Sequence, residues 1–155
     1  PYAGTRTVLL EPTHGFTASF ETVVFAIQAL GYQVLLAHPE RVAEVQSDPN
    51  RLIPLIERGV LMQLTAEALT GAQGGRMQRL CETLVAHRLI QVIATDTHRP
   101  DVRPPLLAPA RARAADLIGE HAAAALVDTT PAAILATAPV QPPSPQPLAR
   151  GWRFR

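Results

Sequence analysis

Three predicted strands of this chain each end in a side chain that can bind a divalent metal. They are Glu11 after residues 7–10, His38 after residues 32–37, and Asp96 with His98 after residues 91–95. Carboxylate oxygens and imidazole nitrogens suit hard and borderline cations, and α/β sheets and barrels carry their chemistry at the carboxyl ends of their strands. Taken singly, a strand-end Asp or His is also common as a loop cap or a satisfied core residue. The residues alone therefore leave a metal site and a structural role open.

The strands that carry these side chains alternate with predicted helices. A fourth strand is predicted at residues 60–64, and Pro54 predicts that the helix before it is kinked or starts late. The predicted helices span residues 17–30, 40–45, 49–58, 76–88, 109–117, 119–127 and 130–137. Repeated β-loop-α units favour an α/β fold with a parallel sheet, either open or rolled into a barrel. Since a closed barrel needs about eight strands, a barrel would place roughly half of them upstream of Pro1, and we expect a fragment.

Helical periodicity also predicts which side chains face the core. In the first helix these are Phe20, Val23, Val24, Ile27 and Leu30. In the helix at residues 76–88 they are Met77, Leu80, Leu84 and Val85. The glycine-containing stretch 65–75 between them predicts a loop with one helical turn at most.

Composition indicates one globular domain. The 155 residues are 47% hydrophobic and 17% charged, which is enough apolar material for a core. A net charge of +1 gives no strong electrostatic case for nucleic acid or an acidic membrane surface. No apolar run reaches the roughly 18 residues of a membrane helix, so we expect no membrane insertion. The single cysteine, Cys81, excludes an internal disulfide and fits a reducing compartment, which predicts a cytoplasmic protein.

Residues 1–138 are predicted to form the domain and residues 139–155 a C-terminal tail. The tail is proline-rich up to residue 147, without apolar periodicity, and it ends in a short basic and aromatic run at residues 150–155. Such a segment is expected to be extended or disordered, and a solvated end is favoured over contact with a partner.

Three runs of the sequence resemble a known enzyme family. LLAHPERV, LIERGVLMQLTAEALTGAQG and VIATDTHRPDVRPP are similar to segments of the metal-dependent tyrosine phosphatases of bacterial capsule and exopolysaccharide clusters. These enzymes are members of the polymerase-and-histidinol-phosphatase (PHP) superfamily. The resemblance runs from about residue 8 onward and implies that residues 1–138 are the C-terminal part of a distorted (β/α)7 barrel whose N-terminal strands are missing.

The resemblance also implies roles for individual residues. The family's manganese cluster of up to three ions takes ligands that match Glu11, His38, Asp96 and His98, and its two phosphate-contacting arginines match Arg41 and Arg103. A guanidinium can bind two phosphoryl oxygens at once and keeps its charge, which suits a phosphotyrosine dianion. The implied reaction is hydrolysis by a water that the cations activate, without a covalent phosphoenzyme.

The sequence disfavours one other enzyme class and leaves two further functions open. A thiolate phosphatase would need an arginine six residues after the cysteine, whereas Arg88 follows Cys81 by seven, so Cys81 is interpreted as a small core residue. The remaining alternatives are another PHP-type phosphoesterase, such as a histidinol-phosphatase-like enzyme, and a non-catalytic, truncated domain that binds a partner. The family's implied partner is a phosphotyrosine protein, a bacterial tyrosine kinase of polysaccharide export.

The sequence departs from the family pattern in several places. The substitutions at Val42, Thr95 and Thr97 are mild, but residues 1–6 lack the His-x-His pair of the family's first strand. We therefore expect this polypeptide to be inactive or weakly active without upstream residues.

The remaining histidines and Glu40 are predicted to lie at the protein surface. His14 is expected in an exposed loop or at the substrate mouth, and His87 and His121 on helix surfaces. Glu40 is predicted to be an exposed first-turn residue, with a role in orienting Arg41 as the alternative.

Overall fold

The parallel sheet that the sequence predicts is present, and its strands lie in chain order. A computed structural model describes residues 1, 4–13, 15–98 and 106–149. The strands are β1 (Thr7–Leu10), β2 (Gln33–Ala37), β3 (Leu61–Thr65) and β4 (Val92–Ala94). All three pairings are parallel, in the order β1-β2-β3-β4. The four strands agree with the predicted ones to within two residues, which confirms an α/β fold with a parallel sheet.

Helices and short helical turns connect the strands and follow the last one. The α-helices are α1 (Ala18–Ala29), α2 (Ala43–Ser47), α3 (Ile53–Glu57), α4 (Ala66–Leu69), α5 (Gly75–Ala86), α6 (Ala108–Ile118), α7 (Glu120–Ala124) and α8 (Thr130–Leu135). Two 3₁₀ turns, Pro39–Arg41 and Pro49–Leu52, precede α2 and α3, and a π-helical turn, Ala125–Thr129, joins α7 to α8. In the part of the chain that the structure describes, no helix is long and apolar enough to cross a membrane.

Prolines decide where the segment between β2 and β3 becomes helical. Pro54 lies in the first turn of α3, where its missing N–H costs no helical hydrogen bond, so the helix begins late, at Ile53. The preceding 3₁₀ turn begins at Pro49, and the Asp48 side chain accepts a hydrogen bond from the Asn50 amide at 3.1 Å. The α-helix predicted at residues 49–58 therefore starts late, which is one of the two effects predicted for Pro54, and a separate 3₁₀ turn precedes it.

The first helix buries less than its periodicity predicts. Val24 is buried, and Phe20 and Ile27 pack against the core as partly buried side chains. Val23 and Leu30, predicted to face inward, are 45% and 73% exposed. That part of the prediction is wrong because α1 packs beside β2 at one side of a sheet whose edge strand is β1, so only a narrow stripe of the helix is covered.

The two faces of the sheet are covered unequally. The larger core lies on the face that carries Val34, Leu36 and Leu64, and it includes the predicted inward side chains Leu80, Leu84 and Val85 of α5. A smaller cluster covers the other face and consists of Leu35, Leu61, Val92 and Ile134. This alternation along each strand is expected for a sheet buried on both sides.

The last helices carry the chain from one face of the sheet to the other. Leu126 of the π-helical turn lies in the larger core, whereas Ile134 of α8 lies in the smaller cluster. Between them the turn contacts β4, the edge strand on this side of the sheet. The helical segment therefore bends around the outer edge of β4.

Residues 139–149 have neither helix nor strand, as predicted, but they are pinned to the domain. The Asn50 side chain accepts from the Leu148 amide at 2.8 Å and donates to the Leu148 carbonyl at 3.1 Å. Gln146 donates to the His87 carbonyl at 2.9 Å, and the Gln33 side chain donates to the Val140 carbonyl at 2.8 Å. We call this set of contacts the tail seam. It leaves His87 half-buried and Leu148 buried.

Candidate metal and phosphate site

The predicted strand-end residues lie together at the carboxyl edge of the sheet. Glu11 follows β1, His38 follows β2 and Asp96 comes two residues after β4, so parallel pairing brings all three to one edge. His38 Nε2 lies 3.2 Å from Glu11 Oε1. The imidazole is largely buried, whereas the Glu11 side chain is 60% exposed. This carboxylate–imidazole pair is the first half of what we call the strand-end site.

Arg41 connects the second half of the site to the middle of the sheet. The 3₁₀ turn Pro39–Arg41 directly follows His38 and places the guanidinium over the ends of β3 and β4. Arg41 Nη2 donates to Asp96 Oδ2 at 2.9 Å and to Thr65 Oγ1 at 3.3 Å. The Arg41 side chain keeps 36% of its surface exposed, so part of the guanidinium can still meet a ligand.

His98 interacts with Asp96 rather than with the Glu11–His38 pair. Its Nδ1 atom lies 3.0 Å from the Asp96 carbonyl oxygen and 3.9 Å from Asp96 Oδ1, and its side chain is 83% exposed. Across residues 4–13, 15–98 and 106–149, no three His, Cys, Asp or Glu side chains are grouped closely enough to hold one metal ion. The four predicted ligands are thus arranged as two pairs. Arg103 and His14 lie outside the described residues.

Two of the predicted ligands have backbone conformations that are unfavourable for side-chain-bearing residues. The φ angles of His38 and Asp96 are 34° and 55°, in the left-handed region. The other two such residues in the described ranges are Arg88 and Thr137, which come just after α5 and α8, where left-handed residues commonly end helices. His38 and Asp96 instead follow strands. Strain at such positions is typical of binding and catalytic sites.

Glu40 differs from its prediction. It was expected to be exposed, but it has no exposed surface, because the 3₁₀ turn points its side chain beneath the edge and into the core. Its Oε1 atom accepts from the Thr65 amide at 3.2 Å, and its Oε2 atom has no hydrogen-bond partner among the described residues. Burial raises the pKa of Glu40, and hydrogen bonds from its own amide and from Thr65, with the charge of Arg41, partly offset that rise.

A cavity of about 490 Å³ opens beside the site. Asp96, Thr97 and His98 form its polar end, and the remaining wall is mainly apolar, with Leu9 and Leu35 from the sheet among its residues. The Thr97 hydroxyl is buried and has no hydrogen-bond partner within the described ranges. The cavity therefore joins polar groups at the strand ends to an apolar surface.

The donor set fits a divalent cation in kind. Two carboxylates and two imidazoles are hard and borderline ligands, and Glu11 and His38 are close enough to share one ion. Asp96 is already paired with the Arg41 guanidinium at 2.9 Å, so a cation bound here would share this carboxylate with Arg41. The described residues supply pairs of ligands, and a complete coordination sphere requires further donors.

Sequence reasoning missed the importance of Thr65. Nothing in its local sequence distinguishes it from other strand-end threonines, but the parallel register places it opposite Ala94 and next to the turn that carries Arg41. A polar residue at the end of each of several adjacent strands is the signal that could have identified it. Cys81 is buried as predicted, and burial raises the pKa of its thiol.

The sequence matches one protein family over most of its length. Residues 2–136 match the family described as capsular polysaccharide synthesis, CpsB/CapC. The chain is 32% identical over 100 residues to the tyrosine-protein phosphatase YwqE of Bacillus subtilis, an alignment that covers 64% of this chain and 39% of that protein. It is 31% identical over 103 residues to CapC of Staphylococcus aureus, covering 66% of this chain and 40% of that protein.

A solved structure shares the fold. The match is to a chain from the crystal structures of YwqE from Bacillus subtilis and CpsB from Streptococcus pneumoniae, described as unique metal-dependent tyrosine phosphatases. It has a TM-score of 0.86 and 27% identity, and it covers 94% of this chain and 59% of the solved one. The chain thus spans about two fifths of the length of the curated relatives and about three fifths of the solved chain.

Proposed function

Because the chain belongs to the CpsB/CapC family of capsular polysaccharide synthesis, we propose that it is the C-terminal part of a metal-dependent phosphatase that hydrolyses phosphotyrosine. The observation that carries the proposal is the strand-end site, in which Arg41 lies 2.9 Å from Asp96 at the same sheet edge as the Glu11–His38 pair. A cationic fork next to carboxylate and imidazole donors is an arrangement that suits metal-assisted phosphoryl transfer to water.

The proposal assigns metal binding to Glu11, His38, Asp96 and His98. Manganese, when bound, would supply Lewis acidity and a water nucleophile at neutral pH. The protein's own contribution is orientation. His38 is held against Glu11 at 3.2 Å, and its left-handed backbone fixes the direction in which the ring projects.

The arginines would bind the phosphoryl group. Arg41 is anchored through one nitrogen, Nη2, to Asp96 and Thr65. In our proposal the exposed part of its guanidinium and Arg103 bind phosphoryl oxygens and stabilise the charge that builds up as the ester bond breaks. The apolar wall of the neighbouring cavity gives an aromatic leaving group a place to lie.

The finer features are part of the same proposal. The parent protein would complete a (β/α)7 PHP barrel, with residues 1–138 as part of the catalytic domain and residues 139–155 as a tail. Its substrate would be a cytoplasmic phosphotyrosine protein, a tyrosine kinase of polysaccharide export. These features rest on the resemblance to the capsule-cluster phosphatases.

One observation favours a second function. The described residues form no group of three metal donors. A domain that binds a phosphotyrosine protein without hydrolysing it would need no such group. Arg41 alone could support such binding.

The test measures metal content and the hydrolysis of p-nitrophenyl phosphate with added manganese. It compares this 155-residue chain with a version that also contains the residues encoded upstream. We expect stoichiometric manganese and turnover in the extended form, and little of either in the shorter one. A Glu11→Gln variant of the extended form should lose both. If neither form hydrolyses the substrate and the chain still binds a phosphotyrosine peptide, the binding function replaces the enzymatic one.

A further inference from the structure

Glu40 is the only Asp, Glu, Lys or Arg among the buried residues of the described chain. Its side chain points from the turn Pro39–Arg41 into a core formed mainly by apolar side chains. Burying a carboxyl group is costly, and an apolar residue of the same volume would stabilise the fold at least as well. Its presence therefore calls for a role beyond packing.

The contacts of Glu40 lead to Arg41 through one residue. Glu40 Oε1 accepts from the Thr65 backbone amide at 3.2 Å, at the last residue of β3. The Thr65 hydroxyl in turn accepts from Arg41 Nη2 at 3.3 Å. Thr65 is fully buried, and its amide bonds to Glu40 while its hydroxyl bonds to Arg41. These two hydrogen bonds fix its position.

The turn itself is held at its other end. The Gln46 side chain donates to the Glu40 carbonyl at 2.9 Å, and the Arg41 amide donates to the His38 carbonyl at 3.0 Å. The backbone of residues 38–41 is thus fixed independently of the Glu40 side chain. What the side chain adds is the link across to β3.

We infer that Glu40 is a positioning residue, which fixes the end of β3 through the Thr65 amide and thereby holds the Arg41 guanidinium beside Asp96. The inference rests on the proposed function, because it assumes that Arg41 binds the phosphoryl group. It assigns no proton transfer to Glu40. Loss of the carboxyl should loosen Arg41 while leaving its charge and its backbone in place.

The experiment has two readouts. The first is the side-chain Nε–Hε signal of Arg41 in NMR spectra of this chain, which reports how rigidly the guanidinium is held. The second is KM and kcat for p-nitrophenyl phosphate in the form that shows manganese-dependent turnover. The variants are Glu40→Ala, Glu40→Gln, Arg41→Ala and, as a control, Glu82→Ala. Glu82 binds Arg113 at 2.8 Å between α5 and α6, so its loss removes a partly buried carboxylate that pairs with a different arginine.

We expect Glu40→Ala to move the Arg41 signal toward that of a freely rotating arginine and to raise KM by roughly ten- to a hundredfold. Glu40→Gln keeps an acceptor for the Thr65 amide and should restore most of both readouts. Glu82→Ala should change neither. A folded Glu40→Ala variant with the Arg41 signal and KM of the Glu82 control would overturn the inference.

Failure of the proposed function gives a different result. If Arg41→Ala leaves hydrolysis unchanged, Arg41 does not bind the phosphoryl group and the proposed function of this site is wrong. An NMR signal showing a more mobile Arg41 side chain in Glu40→Ala would still support the positioning role. If Glu40→Ala does not fold, a Glu40→Met variant decides, because Met fills a similar volume but offers no carboxyl acceptor to the Thr65 amide. A more mobile Arg41 signal with a raised KM would support the inference, and the values of the Glu82 control would overturn it.

Discussion

The strand-end site and the tail seam both fix irregular segments of the chain to the domain, but they do so with different groups. In the seam, neutral amides pair with backbone groups, as Asn50 does with both the amide and the carbonyl of Leu148. At the strand-end site, charged groups meet each other, as Arg41 does with Asp96. Both buried side-chain atoms without a hydrogen-bond partner in the described ranges, Glu40 Oε2 and Thr97 Oγ1, also lie at this edge.

The two regions differ in whether their contacts serve the stability of the fold or the binding of a ligand. A segment that only needs to stay in place can satisfy all of its polar groups, which lowers the free energy of the folded state. A site that must bind something keeps polar groups ready for the ligand, and it tolerates strained backbone at residues such as His38 and Asp96. We therefore expect substitutions at the strand-end site to affect activity more than stability, and the reverse at the seam.

The largest effect is expected for Asp96→Ala. This change removes a proposed metal ligand together with the anionic partner of Arg41, so hydrolysis by the active form should fall by at least about a hundredfold. The free energy of unfolding should change far less than the rate, because Arg41, left without this partner, keeps 36% of its side chain exposed and can be hydrated. Asp96→Asn, which keeps the shape but loses the charge, should be nearly as inactive. An active Asp96→Ala protein would contradict the assignment.

Gly15→Ala should destabilise the loop that follows Glu11. Gly15 has a φ of +73°, and an added Cβ would collide with the carboxylate of Glu44, which accepts from the Phe16 amide at 3.1 Å. We expect a loss of about 2 kcal/mol in the free energy of unfolding. Gly59→Ala is the matched control, since Gly59 has a φ of +84° and nothing within 4 Å of the added atom. Equal losses in urea unfolding would show that the collision with Glu44 is absent.

Asn50→Ala tests the tail seam, where a substitution should change stability and leave activity unchanged. It removes both hydrogen bonds to Leu148 and should lower the free energy of unfolding by about 1–2 kcal/mol, while kcat and KM stay unchanged. Asn50→Asp retains the acceptor for the Leu148 amide but places a carboxylate oxygen against the Leu148 carbonyl, so it should not restore the lost stability. Urea unfolding and hydrolysis, measured on the same samples, decide whether the seam is separate from the site.

The smallest effect is expected at Cys81. Its thiol has no exposed surface, and burial raises its pKa, so at pH 8 the folded protein should contain almost no reactive thiolate. A thiol reagent such as Ellman's reagent should therefore react only in denaturant, and hydrolysis should survive its addition. Rapid reaction of the folded protein would show that the helix α5 opens readily.

Local sequence predicted the strands well and the side-chain environments less well. The strand ends could be predicted because runs of β-forming residues stop just before Glu11, His38 and Asp96, whose side chains are of the kinds that bind metals. The burial of Glu40 could not, because a 3₁₀ turn and an α-helix place the same residue on different sides. The exposure of Leu30 depends on what lies beside α1, which its periodicity does not report. Likewise, the seam depends on partners as distant in sequence as Gln33 and Val140.

The π-helical turn Ala125–Thr129 also determines where the sheet can grow. It contacts β4, so a strand that joined the outer edge of β4, as closure into the proposed barrel requires, would have to approach past this turn. At the opposite edge, β1 pairs with β2 and has no second partner strand among the described residues. Of the two edges, the one at Thr7–Leu10 is the less covered for extension by hydrogen bonding, from its own protein or from another molecule, and Leu9 there is 43% exposed.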